Sequence, residues 1–317
     1  YDTLAARGMA VTRKPIRHRL DMRAVRDLRK RLQEKHHDII YAPRNSTLSV
    51  SLLASRGMRV KRIAYRGTMG HLSRLDPASW LTYLNPKVDR IVCVSEAVRR
   101  YLLSMRLPPE RLVTIYKGHD PAWYSASPPA SLADFGIPAD AIVVGFTGNM
   151  RPVKGIDVLI RSALCLPPSP PIHFLLVGEV LDRQIERLAS DAHIRDRLHF
   201  TGSRRDAASL AGACHMFVMP SVEREGLPRS LIEAMAQGIA PVVSDVGGMP
   251  ELVVRDECGL VVPPRDPQAL AGAILALAQD PSRRRSLGDR ARVRIGTHFN
   301  IQRTLEAYIA LFRAIAN

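Results

Sequence analysis

Short β-rich runs alternate with amphipathic helical stretches along nearly the whole chain, and few folds tolerate that alternation. Strands are expected at residues 38–42, 59–65, 90–94 and 112–116, and again at 141–146, 172–177, 198–201, 215–219, 240–244 and 260–262. Several of the later ones are unbroken apolar runs, the pattern of parallel strands buried on both faces. Helices are expected between them, at 21–35 and at 95–105, where Ser95 caps the start and Glu96 sits in the first turn. Further helices follow at about 155–165, 181–191, 206–212, 228–237, 248–254, 266–279 and 282–295, with a last one at 301–316. This order builds βαβ units and doubly wound parallel sheets, an α/β architecture.

Residues 117–138 interrupt the alternation with a run rich in Pro, Ser, Ala and Gly, the composition of a linker. The chain of 317 residues is long enough for a domain on each side of it. A first Rossmann-like domain is expected over 1–121, a linker over 122–138 and a second domain over 139–297, with the helix in 298–317 packing back on the first.

The net charge of +16 is unevenly spread. Residues 1–120 hold 25 Lys/Arg against 10 Asp/Glu, whereas the rest hold 21 against 20. The first half therefore calls for an anionic partner: a membrane surface, an acidic acceptor or nucleic acid. Aromatics are 5% and no nucleic-acid motif is present, so no specific nucleic-acid partner is expected. Residues 21–35 place Met22, Val25, Leu28 and Leu32 on one helical face, with Arg23, Arg26, Arg29, Lys30 and Arg31 mainly elsewhere. Such a helix lies on anionic lipid, or packs its apolar stripe on a sheet, or does both. There is no run of eighteen apolar residues and no visible secretory leader, so a cytoplasmic protein is expected, peripheral at most on the cytoplasmic face of the inner membrane. Cys93, Cys165, Cys214 and Cys258 are far apart and form no CxxC pair. Reduced, mostly buried thiols are expected, with neither zinc nor disulfides.

In open α/β sheets ligands bind beyond the carboxyl ends of the strands. After the strand at 141–146 comes Thr147-Gly148-Asn149-Met150-Arg151-Pro152-Val153-Lys154-Gly155. Arg151 and Lys154 beside a helix start suit a phosphate or pyrophosphate, although basic residues are common in loops. After the strand at 215–219, Glu225 precedes a helix and Glu233 lies on it. Two carboxylates with free backbone N–H groups between them suit hydroxyls on one side and a phosphate on the other, as in a sugar joined to a nucleotide. A capped helix with a solvated Glu is the ordinary alternative.

Glu225 and Glu233, in EGLPRSLIEAMAQG with seven residues between them, resemble the Glu-seven-Glu motif of retaining GT-B glycosyltransferases, family 4 in particular. FTGNMRPVKGIDVLIRSA (146–163), PVVSDVGGMPELV (241–253) and CGLVVPPRDPQALAGAI (258–274) are similar to other blocks of that family, in the same order. The resemblance implies two Rossmann-like domains facing a cleft and the transfer of a hexosyl group from a UDP- or GDP-sugar to an acceptor hydroxyl with retention. The acceptor would be a glycan or lipid-linked molecule of envelope polysaccharide, lipopolysaccharide or glycolipid synthesis. No cofactor is implied and no metal, and the chain has no Asp-x-Asp.

Carried over by position, Glu225 contacts donor-sugar hydroxyls, Glu233 the ribose, and Lys154 the diphosphate. Arg151 reaches the same phosphates beside Gly148 and Asn149, and Gly226 and Leu227 offer backbone N–H groups. Ser203 and Arg205 lie near the base. Glu225, Arg151 and Lys154 form the catalytic group. There are departures. Asn149 stands where the family commonly has Arg, and Lys117-Gly118-His119-Asp120 replaces the usual Asn-Gly-Val-Asp. Where many members have a His in the first domain, this chain reads Tyr65-Arg66-Gly67-Thr68-Met69-Gly70-His71, so either Arg66 or His71 could face the acceptor. Nothing like the family's opening strand and Gly-rich loop precedes Tyr1, so the first domain is expected to lack its first βα unit and to expose a sheet edge. Two other readings stay open: another GT-B enzyme such as a sugar-nucleotide epimerase, and a non-catalytic binder of sugar nucleotides or anionic polymers.

Overall fold

The computed structural model of the chain describes residues 2–125, 130–191 and 193–316, so part of the linker stretch, 126–129, lies outside the described residues. Among the described residues ten strands form two parallel sheets. β1 (Ile39–Ala42), β2 (Lys61–Arg66), β3 (Arg90–Cys93) and β4 (Leu112–Thr114) pair in chain order. β5 (Ile142–Thr147), β6 (Ile172–Val177), β7 (Leu198–Gly202), β8 (Met216–Met219), β9 (Ala240–Ser244) and β10 (Leu260–Val262) form the second sheet, in the order β10-β9-β8-β5-β6-β7. By their contacts the residues divide into two compact units. One comprises Tyr1–Val94, Arg99–Ile115 and Tyr308–Asn317, the other Ser95–Val98 and Tyr116–Ala307.

In the second unit the strands carry the core. All six residues of β6 are buried, and Phe146, Phe174 and Phe217 from β5, β6 and β8 are each fully enclosed. A strand whose one polar residue is His173 can be buried this way only with cover on both of its faces. The helices start where short acidic side chains stop the chain from continuing extended. Asp266 accepts from the Ala269 N–H at 2.9 Å, and Asp280 from the Arg283 N–H at 2.8 Å. Pro267 and Pro281 follow them at first helical positions, where a missing N–H is harmless. Leu132, Phe135 and Ile137, within the stretch of linker composition, pack against Val143, Leu175, Val177, Leu210 and Cys214.

In the first unit the helix Met22–Glu34 is capped by Asp21, which accepts from the Ala24 N–H at 3.1 Å. Its Val25 is 6% exposed and packs on Val50 and Ala54, with Leu28 and Leu32 alongside. Val25, Leu28 and Leu32 of the apolar stripe therefore rest against a neighbouring helix, Asn45–Ala54, rather than directly on a sheet, while Met22 is exposed. That neighbour has no helical signal in the sequence. NSTLSVSLLA is rich in Ser and β-branched residues, and it is helical because packing encloses Leu48, Ser49, Val50, Ser51 and Ala54 together. Among the described residues no helix is long and apolar enough to cross a membrane.

None of the four cysteines is in a disulfide; Cys93, Cys214 and Cys258 are buried and Cys165 is exposed. The last helix, Ile301–Ala316, has its first part in the second unit and the remainder, from Tyr308, in the first. Within the second unit Thr304 Oγ1 donates to the Tyr116 carbonyl at 2.9 Å. Within the first, the Tyr41 and Tyr308 hydroxyls lie 2.9 Å apart.

The position of the stripe gives a direct test. Val25→Ala should lower unfolding free energy by about 2 kcal/mol, as expected for a truncated core contact. Met22, 56% exposed on the same helix, should tolerate Ala within about 0.5 kcal/mol. Denaturant unfolding of the two variants checks this, and equal small effects would mean that the stripe is not packed.

Candidate functional site

The second sheet reverses its winding at β5, which has β6 on one side and β8 on the other. Crossovers that leave a reversal point in opposite directions leave room for a ligand beyond the strand ends. The loops after β5 and β8 meet there. Gly155 has φ +66, and a Cβ on it would lie 2.0 Å from the Pro220 carbonyl oxygen, so only glycine permits the approach. The Val222 N–H donates to the Val153 carbonyl at 3.0 Å and ties the loops together.

This contact brings Lys154 and Glu225 together. Glu225 is only 9% exposed, and a buried carboxylate needs a charged or hydrogen-bonding partner. Lys154 Nζ supplies the charge at Glu225 Oε1, and the Ser221 hydroxyl donates to the same oxygen at 2.9 Å. Arg224, just before Glu225, sits in the left-handed region at φ +64. That is uncommon for a side-chain-bearing residue and marks a constrained turn. On the other side, the Gly248 N–H reaches the Glu225 carbonyl at 3.3 Å. A Cβ on Gly248 would fall 1.9 Å from the Gly226 carbonyl oxygen. Gly226 and Leu227 are thereby fixed, both buried, just before the helix Arg229–Ala236.

Glu233 points from that helix and is 8% exposed. Its Oε1 is paired with Arg229 Nε at 2.5 Å, one turn earlier. The Arg229 side chain is 69% exposed, so a ligand hydroxyl can take its place at little cost. A second layer lies around this pair. The His119 ring, on a residue 3% exposed, holds Nδ1 2.6 Å from the Tyr124 hydroxyl, and the backbone N–H of His119 donates to the Phe299 carbonyl at 2.8 Å. Burial, aided by the Lys117 and Arg229 charges, pushes the His119 imidazole down to about 4. Burial, with the Glu233 charge adding, pushes Tyr124 up to about 12. Lys117 is held below the usual lysine range by burial and by Arg229.

The other sequence candidates fall as follows. Gly148 donates its N–H to Val177 at 2.9 Å, which ties the first loop to the end of β6. Asn149 and Arg151 are exposed on that loop. Ser203 and Arg205 are exposed at the end of β7, and the neighbouring Arg204 pairs with both oxygens of Asp206 at 2.9 Å. Arg66, in the first unit, is 4% exposed and donates to the Thr68 carbonyl at 2.8 Å and to the Gly70 carbonyl, with its guanidinium over the Tyr83 ring. It shapes its own loop. His71 is exposed with φ +59.

Three residues outside the candidates read from the sequence join the cluster: Ser221, Arg229 and His119. Arg229 could have been found from its i,i+4 spacing to Glu233. His119 stood out only as a departure from the expected block. Ser221 had no signal, since its partner is set by how two loops meet. Among the described residues no group of three or more His, Cys, Asp or Glu could hold a metal ion.

Comparisons with known proteins extend this picture. The family model described as "Glycosyl transferases group 1" matches residues 129–294, just over half of the chain, and "Glycosyltransferase Family 4" matches residues 3–123. The alpha-maltose-1-phosphate synthase of Mycolicibacterium smegmatis is 30% identical over 256 residues, which cover 72% of this chain and 64% of that protein. The lipopolysaccharide core biosynthesis mannosyltransferase LpcC of Rhizobium leguminosarum is 26% identical over 286 residues, 87% of this chain and 78% of that one. The chain spans only 57–60% of the length of three further curated relatives. The crystal structure of Anabaena HepE in complex with UDP superposes with a TM-score of 0.81 at 22% identity, covering 98% of this chain and 88% of that one.

The buried imidazole makes stability depend on pH. His119 is pushed from 6.5 to about 4 on folding. Its contribution is therefore complete above pH ~6.5 and is lost as pH falls through the window down to about 4. Thermal melts of the wild type and His119→Asn between neutral pH and about pH 4 should show a smaller loss of Tm in the variant. Parallel pH dependences in the two proteins would refute the assignment.

Proposed function

The chain belongs to the group 1 glycosyl transferases, and from that premise we propose that it moves a hexosyl group from a UDP- or GDP-sugar to an acceptor hydroxyl with retention of configuration. The observation that carries this reading is the meeting of Lys154 and Glu225 at the winding reversal, beside Glu233 on the following helix. A sugar nucleotide offers hydroxyls at both ends and two phosphates between them. Glu225 takes the sugar hydroxyls, Glu233 the ribose hydroxyls, and Lys154 the diphosphate, supported by Arg151 and by the Gly226 and Leu227 N–H groups. Ser203 and Arg205 lie where the base would extend. HepE was solved with UDP, which favours a uridine donor.

The difficult step is departure of the diphosphate from a sugar carbon that becomes oxocarbenium-like. Lys154 and Arg151 stabilise the charge that builds on the leaving oxygen, and fixed cations do this without reorganisation. The reaction as proposed takes this positive charge from side chains and needs no metal. Glu225 has one oxygen held by two donors, which makes it a poor nucleophile. The bond from the anomeric carbon to the phosphate oxygen breaks as the acceptor oxygen bonds the same face, and the acceptor proton passes to the departing phosphate.

The acceptor is an anionic or lipid-linked envelope glycan presented at the cytoplasmic face of a membrane. The excess of cations in residues 1–120 supports this. So does the likeness to a lipopolysaccharide core mannosyltransferase.

The test presents UDP- and GDP-sugars with lipid-linked acceptor in anionic vesicles, and the product is read by NMR. The vesicles should retain the protein at low salt and release it at high salt. The product anomer should match that of the donor, EDTA should leave the rate unchanged, and Lys154→Ala should lower kcat/KM by about 100-fold. An inverted product or rescue of a chelated enzyme by a divalent cation contradicts the mechanism. An epimerised sugar nucleotide would favour the epimerase reading, and donor binding without transfer the binder.

A further inference from the structure

We propose that Ser221 is a positioning residue that assigns the two oxygens of Glu225, one to the protein and one to the donor sugar. The proposal rests on the reading of Glu225 as the sugar-contacting carboxylate and names what orients it. Ser221 is 0% exposed, and its hydroxyl donates to Glu225 Oε1 at 2.9 Å. Lys154 Nζ pairs with that same oxygen. A carboxylate oxygen offers about two lone-pair sites, so Oε1 is filled. Among the described residues Oε2 has no hydrogen-bond or ion-pair partner.

Lys154 cannot by itself keep this arrangement during a reaction cycle. When a diphosphate arrives, the ammonium has a second anion to satisfy, and the Glu225 carboxylate is left in a buried place with one partner fewer. Ser221 remains. Its backbone cannot drift, because Pro220 packs against Gly155 with no room for a Cβ and Val222 is bonded to Val153. A hydroxyl on a fixed backbone, bonded to a carboxylate whose own backbone carbonyl is held by Gly248, sets the plane of that carboxylate. The single hydroxyl proton is engaged with Glu225, so Ser221 has none left to give the donor. It acts through Glu225 alone.

The experiment is calorimetric titration of UDP and UDP-glucose, and of GDP and GDP-mannose, into the full chain. The proteins are wild type, Ser221→Ala, Ser221→Thr, Glu225→Ala and the Ser221→Ala/Glu225→Ala double variant. In Ser221→Ala the nucleotide-sugar affinity should fall about tenfold while the affinity for the bare nucleotide stays within about twofold. Ser221→Thr should restore the preference for the sugar-bearing ligand, and Ser221→Ala should have no further effect once Glu225 is Ala, which has no acceptor for the hydroxyl. A parallel loss for nucleotide and nucleotide sugar, or an equal loss in the Glu225→Ala background, would overturn the proposal in favour of a purely structural serine. If Ser221→Ala does not fold, Ser221→Cys, a weaker donor of similar size, carries the same comparison.

A wild type that binds none of the four ligands would sink the function proposed above, and the orientation of Glu225 is then read without a donor. In a crystal structure of Ser221→Ala the carboxylate should turn so that Oε1 no longer faces position 221. An unmoved carboxylate overturns the positioning role.

Discussion

The approach of the Gly155 backbone to the Pro220 carbonyl is the constraint on which the candidate site depends. A Cβ at position 155 would stand 2.0 Å from that oxygen, so the two loops touch only because the residue is glycine. From the contact follow the Val222–Val153 hydrogen bond, the placement of Lys154 against Glu225, and the pairing of Ser221 with the same carboxylate. Each of these groups would be costly to bury alone, and together they neutralise one another and fill one oxygen of Glu225. The site is thus preorganised by backbone packing before any ligand arrives.

That packing exists because of the strand order. β5 lies between β6 and β8, and its loop and the loop after β8 leave the sheet as neighbours. Strand order is a long-range property, which explains what could and could not be read from the sequence. β6, β9 and β10 could be placed to the residue because they are short, largely apolar runs between turns, broken only by His173 and Ser244. Glu225, Glu233 and Lys154 could be singled out because strand ends carry ligands and because the surrounding blocks resemble a known family. Ser221 could not be, since nothing in PSVEREG marks which of its side chains turns inward. The helix Asn45–Ala54 was hidden for a related reason: its residues favour other structures locally, and only enclosure by neighbours makes it helical.

The basic first half is more mixed than its charge count suggests. Arg29 donates to the Ala54 and Arg56 carbonyls, Arg62 to Ser55, and Arg66 to the Thr68 and Gly70 carbonyls. These guanidiniums hold backbone together through neutral acceptors. Arg62 also lies 3.9 Å from the Asp89 carboxylate, whereas neutral acceptors leave the charge of Arg29 and Arg66 in place, beside that of exposed neighbours such as Arg17 and Arg23. Structure and electrostatic attraction are therefore served by the same residue type. The apolar stripe of the helix Met22–Glu34 is used within the fold, so attraction to an anionic surface would act through charge and weaken with salt.

The carboxylates and cations of the second unit are proposed as a site for a nucleoside diphosphate sugar, and calorimetric titration of UDP and GDP into the wild type and into Glu233→Ala is the decisive experiment. Saturable binding of one of the two nucleotides is expected, with its loss, by about tenfold or more, in the variant. A folded wild type that binds neither, or a Glu233→Ala variant that binds as well as the wild type, would contradict it.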